Sequence, residues 1–441
     1  MSLFNKLFSV KSRTKFNFSD EPPIFFGSYT DRNKTKLQYE QWDKSLSLYK
    51  DKKYLDAYEL FFNYLKDKTL ENVTFIRKNN RINFEFIQGS KIIKGSVNDQ
   101  EIYAEAEVVR FEDISTPVMR KLLRQNYHLY YSKFVIKNDV YSLKYFSPVE
   151  DAKPDSLYEA LKELATEADM FDDVLIDEFD SVHPINIDHI QEIPEEIKQI
   201  KLKYFRVWLN DTLKKVKNQD TEKDMELISY ILQNLLFKTY YLLAPQGTLL
   251  SDIRFLQQSL IQKGDYTVKE LNLNLIESLN ELKNKTDQEL TKSLYRVDAT
   301  FAVNRPTAFN QVKTFIQDEI KKAQACIDEI KIDDALEICE HILSYSSITY
   351  GMPAIANKLL HVVWRVLYPE YFKELGFSHE YYSAVKAQFN IELTKAKIEN
   401  VIDDAKKQHV KMKFKLENID FNDKLKFMLS FFNEFQSLNY D

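Results

Sequence analysis

Glycine is scarce in this chain, with 7 residues in 441. Glycine lets the backbone turn sharply and approach a ligand closely, so catalytic loops normally use several. Its rarity points to side-chain packing, helical above all, rather than loop-built chemistry. Cysteine is scarcer still: Cys326 and Cys339 are the only two, and no CxxC occurs. That count excludes a disulfide-rich secreted scaffold. The phosphate-cradling patterns GxGxxG and GxxxxGK[ST] are missing, as are the nucleophile elbow GxSxG and the zinc pair HExxH. No run approaches the ~18 apolar residues of a membrane-crossing helix. An excess of one charge is lacking too. The 61 basic and 67 acidic residues leave a net charge of −6, which gives no bulk attraction to nucleic acid or an anionic membrane.

Aromatic side chains are plentiful: 26 Tyr and 31 Phe, 14% with tryptophan included. Most read as core. Tyrosine also supplies amphipathic contact area, so the count leans towards a binding protein. At the N-terminus Leu3, Phe4, Leu7 and Phe8 share a helical face beside Lys6, Lys11, Arg13 and Lys15. A short amphipathic anchor, a docking arm and a frayed end all have this pattern, and membrane contact is expected only through residues 1–15.

Residues 1–35 read as an N-terminal arm with Pro22 and Pro23 inside. Residues 36–180 read as an α+β domain with a leading helix pair, over 37–49 and 54–65. The apolar period then shifts from 3.6 to 2. Runs at 72–78, 81–88, 91–97 and 101–111 alternate, with turn residues at Asn79-Asn80, Gly89-Ser90 and Asn98-Asp99. A helix from Val118 to Asn126, two strands joined at Asn138-Asp139 and a helix over 156–178 complete the unit. Residues 181–194, with Pro184 and Pro194, read as a linker. The expected fold class is thus α+β: a small antiparallel-sheet domain with helices, followed by a larger all-helical region over 195–441 with room for two subdomains. In that region a long helix is expected over 267–295 and another over 379–390.

The hairpins around Asn79-Asn80 and Gly89-Ser90, the helix Pro117–Gln125, the pair HLYYSKFVIKNDVYSLKYF and the closing LYEALKELATEADMFDDVL helix carry a resemblance. Residues 72–178 resemble the small α+β fold of type III secretion chaperones and the related YbjN-like bacterial family. The resemblance implies a non-enzymatic, cytoplasmic, bacterial protein that holds an extended partner segment, as secretion chaperones do, often as dimers.

Few residues suggest chemistry. His183 and His189 flank Asp188 without a closed ligand set and read as solvated linker histidines. Cys339 and His341 are two apart on a helix, so they do not face each other. Asp169, Asp172 and Asp173, with Asp177, Glu178 and Asp180, lack the EF-hand spacing and read as a solvated acidic face. KMKFKLE (411–417) reads as a short strand with a basic wet face. No catalytic residue, cofactor or metal ligand is assigned. The candidate partner-binding surface is Tyr103, Phe111, Tyr131, Phe134, Tyr141 and Tyr145, on the predicted strands and the approach to them; alternation alone leaves open which face is core. The expected partner is another protein or a second copy of the chain, with no nucleic acid. The competing readings are an enzyme assembled from distant residues and a structural component of a larger assembly.

Overall fold

The computed structural model describes residues 16–30, 34–67, 70–112, 115–261, 266–304, 306–406 and 413–439. The amphipathic segment of residues 1–15 lies outside them. By internal packing the chain divides into two compact bodies, Phe25–Asn357 and Met1–Ile24 with Lys358–Tyr440.

The larger body opens with a helical hairpin, α1 (Lys36–Lys50) and α2 (Tyr54–Leu65). A capping box starts α1: the Thr35 side chain accepts from the Gln38 amide and the Gln38 side chain from the Thr35 amide. Two amides that no helical carbonyl reaches are thereby satisfied. Ala57, Tyr58, Phe61, Phe62 and Leu65 of α2 are fully buried, following the i, i+3, i+4 stripe of a helix on a core.

Next come β1 (Val73–Lys78), β2 (Arg81–Gln88), β3 (Lys91–Val97), β4 (Glu101–Phe111), α3 (Thr116–His128), β5 (Lys133–Lys137), β6 (Val140–Pro148), α4 (Pro154–Glu178) and β7 (Val182–Pro184). The strands form one seven-stranded antiparallel sheet in the order β1-β2-β3-β4-β6-β5, with β7 paired to the end of β4. Asn138 and Asp139 both take positive φ, 49° and 61°, as a two-residue hairpin between twisted strands requires. Ile102, Ala104, Ala106 and Val108 of β4 point to one face and are fully buried, joined there by Leu143 and Tyr145 of β6. α4 covers that face with Leu157, Ala160, Leu161, Leu164 and Ala168. Each fully buried leucine contributes about 1.5–3 kcal/mol. The opposite face is wetter: Tyr103 lies across from the exposed Phe146, and Glu105 pairs with Lys144 at 3.1 Å.

The helical remainder of this body comprises β8 (Gln191–Glu192), α5 (Glu195–Lys217), α6 (Met225–Leu243), α7 (Gly247–Ile261), α8 (Val268–Asn284), α9 (Asp287–Thr291), β9 (Tyr295–Arg296), α10 (Phe309–Asp328) and α11 (Ile332–Thr349). Every residue of α6 from Asn234 to Leu243 is buried. The single helix expected over 267–295 is two, because Thr286 caps α9 in a capping box with Glu289 and ends the first.

Residues 181–194, read as a linker, hold β7 and β8. Residues 298–301 return from the helices to the sheet. Phe301 packs on Phe86 at 5.5 Å and Tyr158 at 5.2 Å, and the Thr300 and Phe301 amides donate to Gln88 Oε1 at 3.1 and 2.9 Å. This plug ties sheet and helices into one body.

α12 (Ala354–Leu367) runs across the division. The smaller body continues with α13 (Pro369–Glu374), β10 (Tyr382–Ser383), β11 (Gln388–Phe389), α14 (Ile391–Lys406) and α15 (Lys424–Phe435). The helix expected over 379–390 is instead the β10–β11 hairpin, closed by Tyr382 against Phe389 at 4.9 Å and turned at Ala387, whose φ is 48°. The described part of KMKFKLE leads into a 3-10 turn at Leu416–Asn418 rather than a strand. The architecture as a whole is α+β, a small antiparallel sheet with a larger all-helical region.

Candidate functional site

The six aromatic residues singled out from the sequence separate by face. Phe111, Phe134, Tyr141 and Tyr145 are buried in the core between the sheet and α4. Phe111 stacks on Tyr141 at 4.4 Å and Phe134 packs on Phe171 at 4.9 Å. These four hold the sheet together and offer nothing to a partner. Tyr103 lies on the other face, its hydroxyl donating to Glu105. Tyr131 alone is exposed beyond the sheet.

Tyr131 belongs to a surface that strand alternation did not reveal. α3 begins at the Ser115 cap, whose side chain accepts from the Val118 amide, with Pro117 in the first turn. Val118 and Leu122, one turn apart, anchor it to the core. The far side carries Arg120, Leu123, Arg124, Tyr127 and His128, all exposed. Their spacing of i, i+3, i+4, i+7 and i+8 places them on one stripe. Tyr127 is 87% exposed and Tyr130, just past the helix, 89%. Arg120 and Arg124 form no ion pair among the described residues.

The end of this stripe is fixed. The Glu163 carboxylate of α4 accepts the amides of Tyr130, Tyr131 and Ser132 at 2.8, 2.9 and 2.9 Å, and the Ser132 hydroxyl at 2.7 Å. A carboxylate gathering three successive amides holds the two tyrosines in place before anything binds. Asn126 closes the neighbouring sheet margin. Its Oδ1 accepts the Phe134 amide at 2.7 Å and its Nδ2 donates to the Phe134 carbonyl at 3.3 Å. At that point of β5 the backbone is already paired, as edge strands require to resist adding a stray strand.

A second site is concave. A cleft with an empty volume of about 750 Å³, mouth included, opens between the β2–β3 turn, α4, the α6–α7 junction and residues 296–303. Beneath it lies an acidic cluster. Asp172 is buried and pairs with Lys91 at 2.5 Å, and it also accepts the Ser90 hydroxyl at 2.7 Å. Lys91 donates further to the Val108 carbonyl at 2.7 Å. Asp169 accepts the Ser90 amide at 2.7 Å. Gly89, with φ 58°, makes this approach possible, since a Cβ there would lie 1.8 Å from Asp169 Oδ1. The solvated acidic face expected from the sequence therefore holds only for Asp177, Glu178 and Asp180. Asp169, Asp172 and Asp173 turn inward because their positions on α4 face the β2–β3 turn and α7.

Burial, reinforced by Asp172, pushes the Asp169 carboxyl up to about 6. Burial also raises Asp172 against the pull of Lys91, and raises Asp173, which has Asp172 and Asp169 beside it. Among the described residues no group of three or more His, Cys, Asp or Glu is placed to hold a metal ion.

The remaining sequence candidates stand apart from both sites. Burial pushes the Cys339 thiol up to about 12 and the His341 imidazole down to about 3. The His341 ring is packed among Tyr230, Phe237, Phe315 and Tyr345. A thiol that high is a poor nucleophile at neutral pH. His183 is exposed beside Glu112 at 3.1 Å, while His189 lies 3.1 Å from the Gly89 carbonyl. No protein-family model matches the chain, and no curated protein matches it as a relative.

Proposed function

We propose that this is a binding protein and that the exposed stripe of α3, with Tyr130 and Tyr131, holds a segment of another protein. The single observation that carries this reading is the joint exposure of Leu123, Tyr127, Tyr130 and Tyr131 beside Arg120 and Arg124. Tyrosine and arginine dominate the energetic centres of protein interfaces, whereas a merely solvated surface has no use for three exposed tyrosine rings and a leucine. The unpaired arginines choose the partner: an acidic segment with apolar or aromatic side chains matches both charge and surface. The Glu163 clamp lowers the ordering cost of binding.

The likeness of residues 72–178 to secretion chaperones and YbjN-like proteins supports the same reading, with one difference. The docking element is the outer face of α3 rather than the strands, because Asn126 blocks the β5 margin and four of the strand aromatics are core. The two free cysteines, Cys326 and Cys339, agree with a reducing compartment such as the bacterial cytoplasm.

The test is site-specific photo-cross-linking in native cells, with a benzophenone amino acid at Tyr127, at Tyr130 and at the exposed Ile330 as control. The expected result is a shared heteromeric adduct at the first two positions, rich in Asp and Glu at the cross-linked peptide and absent at Ile330. Adducts equal at all three positions, none at Tyr127 and Tyr130, or a homodimer alone would sink the proposal.

A further inference from the structure

The cleft above the acidic cluster contains a guanidinium without an adequate partner. Arg254 of α7 reaches into it, and its one hydrogen bond among the described residues is a long 3.4 Å contact to the Tyr240 hydroxyl. Its guanidinium carbon stands 5.9 Å from the Tyr240 ring centre. It forms no ion pair among the described residues, although Asp169 and Asp173 lie close enough to raise its proton affinity. A guanidinium carries five N–H donors in a planar fork. Arg254 is half-buried, so the donors that no protein group takes face the open cleft, where an anion can accept them. Arg296 lines the same cleft, and its only ionic contact among the described residues is a loose 3.7 Å to Asp298. Phe25, Tyr29, Tyr240 and Phe301 give the rest of the wall an aromatic part, beside aliphatic and polar residues.

We propose that this cleft is a binding site for a small organic carboxylate with an apolar or aromatic body. The Arg254 fork takes the carboxylate in bidentate fashion, Arg296 supplies the second positive charge, and the aromatic wall covers the body of the ligand. The cleft is open at its mouth, so the body of such a guest need not be fully enclosed. Beneath, Lys91 neutralises Asp172; Asp169 and Asp298 also line the cleft, so the anion is held by the guanidinium forks rather than by an excess of positive charge. Gly89 is part of the construction, for a side chain there would displace Asp169 from the cleft floor. The site is separate from the α3 stripe, so either proposal can fail without the other.

The experiment uses the full-length protein and benzoate as probe, with benzyl alcohol as its neutral counterpart, read by ligand-observed NMR saturation transfer and calorimetry. Benzoate is expected to bind saturably, and benzyl alcohol at least about tenfold more weakly, a loss of roughly 1.4 kcal/mol. In Arg254→Gln the benzoate affinity falls by at least the same factor, while Arg254→Lys retains part of it because the charge remains without the fork. Arg296→Gln weakens binding less than Arg254→Gln. Circular dichroism and thermal melting of each variant establish that it folds. The comparison of benzoate with benzyl alcohol needs no variant, so the test stands even where Arg254→Gln does not fold. No saturable benzoate binding, equal binding of the alcohol, or undiminished affinity in a folded Arg254→Gln protein would overturn the assignment.

Discussion

Lys91 and Asp172 meet at 2.5 Å with 1% and 3% of their side chains exposed. Lys91 sits at the first position of β3 and Asp172 in the last third of α4, so the pair locks the long helix onto the sheet beside the cleft. The remaining capacity of both groups is used by protein: the Val108 carbonyl takes one lysine proton and the Ser90 hydroxyl donates to the carboxylate. A buried pair of this kind is expensive to break and cheap to replace as a whole.

Lys91→Met is therefore expected to destabilise the protein by about 3–5 kcal/mol, because it strands a buried carboxylate. Lys91→Met combined with Asp172→Leu is expected to recover most of that loss. Urea unfolding of the four proteins in a double-mutant cycle measures both statements. Additive losses in the double variant would show that the two side chains do not act as a pair.

The neighbouring aspartates set a pH dependence with a definite sign. Asp169 titrates near 6 when folded, above its ordinary 3.8, so the native state holds a proton that the unfolded chain releases. That contribution to stability is complete below the ordinary aspartate range and is lost as pH rises through about 6. Asp173 shifts in the same direction and extends the loss to higher pH. Between pH 3.8 and about 6, stability of Asp169→Asn with Asp173→Asn is expected to fall less steeply with pH than that of the native protein. Thermal melts across that window decide the matter, and parallel slopes would refute it.

The Glu163 clamp links packing to the proposed binding surface. Glu163→Ala removes the acceptor of three amides and a hydroxyl. Hydrogen bonds to a charged group are worth about 1.5–3 kcal/mol each. Amide exchange of Tyr130, Tyr131 and Ser132 is expected to accelerate strongly while exchange across β2 and β4 stays unchanged. Cross-linking at Tyr127 should weaken with it, since the segment Tyr130–Ser132 is no longer held in its bound shape. Unchanged exchange at these three amides would mean that backbone packing alone fixes the segment.

Much of the fold was legible because its elements are long and strongly periodic. The strand ends of β1 to β4 follow from Asn79-Asn80, Gly89-Ser90 and Asn98-Asp99, and α2 and α5 from unbroken apolar stripes. β7 was not legible, since Val182, His183 and Pro184 are too few for a period and a proline argues against a strand. The 379–390 segment misled because a two-residue strand pair carries no alternation. The sites fared worse. Alternation placed Tyr141 and Tyr145 on the sheet without saying that α4 covers them. The inward turn of Asp169 and Asp172 depends on Ser90, Lys91 and Arg254, which lie 78 or more residues away in sequence, and no local pattern encodes that meeting. The exposed α3 stripe did have a signal, Arg120, Leu123, Arg124 and Tyr127 at helical spacing, but reading it required knowing that the side of Val118, Met119 and Leu122 faces the core.

In the smaller body a different charge group holds the segment before Phe25 to the helices after Asn357. Glu21 pairs with the buried Arg365 and lies 3.2 Å from Lys397 and 3.8 Å from His379. Arg365 also donates to the His379 carbonyl at 2.7 Å and lies over the Tyr381 ring at 4.3 Å. Burial works to raise the Glu21 carboxyl, but Arg365 and Lys397 outweigh it and leave it below its ordinary 4.5. The sign is thus opposite to that of the aspartates: this contribution is present above pH 4.5 and is lost as pH falls through the lowered value. Glu21→Gln is expected to cost about 3 kcal/mol at neutral pH, since it leaves a buried guanidinium without its counter-charge. The difference from the native protein should shrink on acidification. Limited proteolysis at neutral pH should cut the variant between Phe16 and Ile24 faster than the native chain, because Glu21 supplies the charged anchor of that segment to α12 and α14, beside the Phe18 ring under Lys397. A stability difference that persists undiminished in acid would show that Glu21 acts through packing rather than charge.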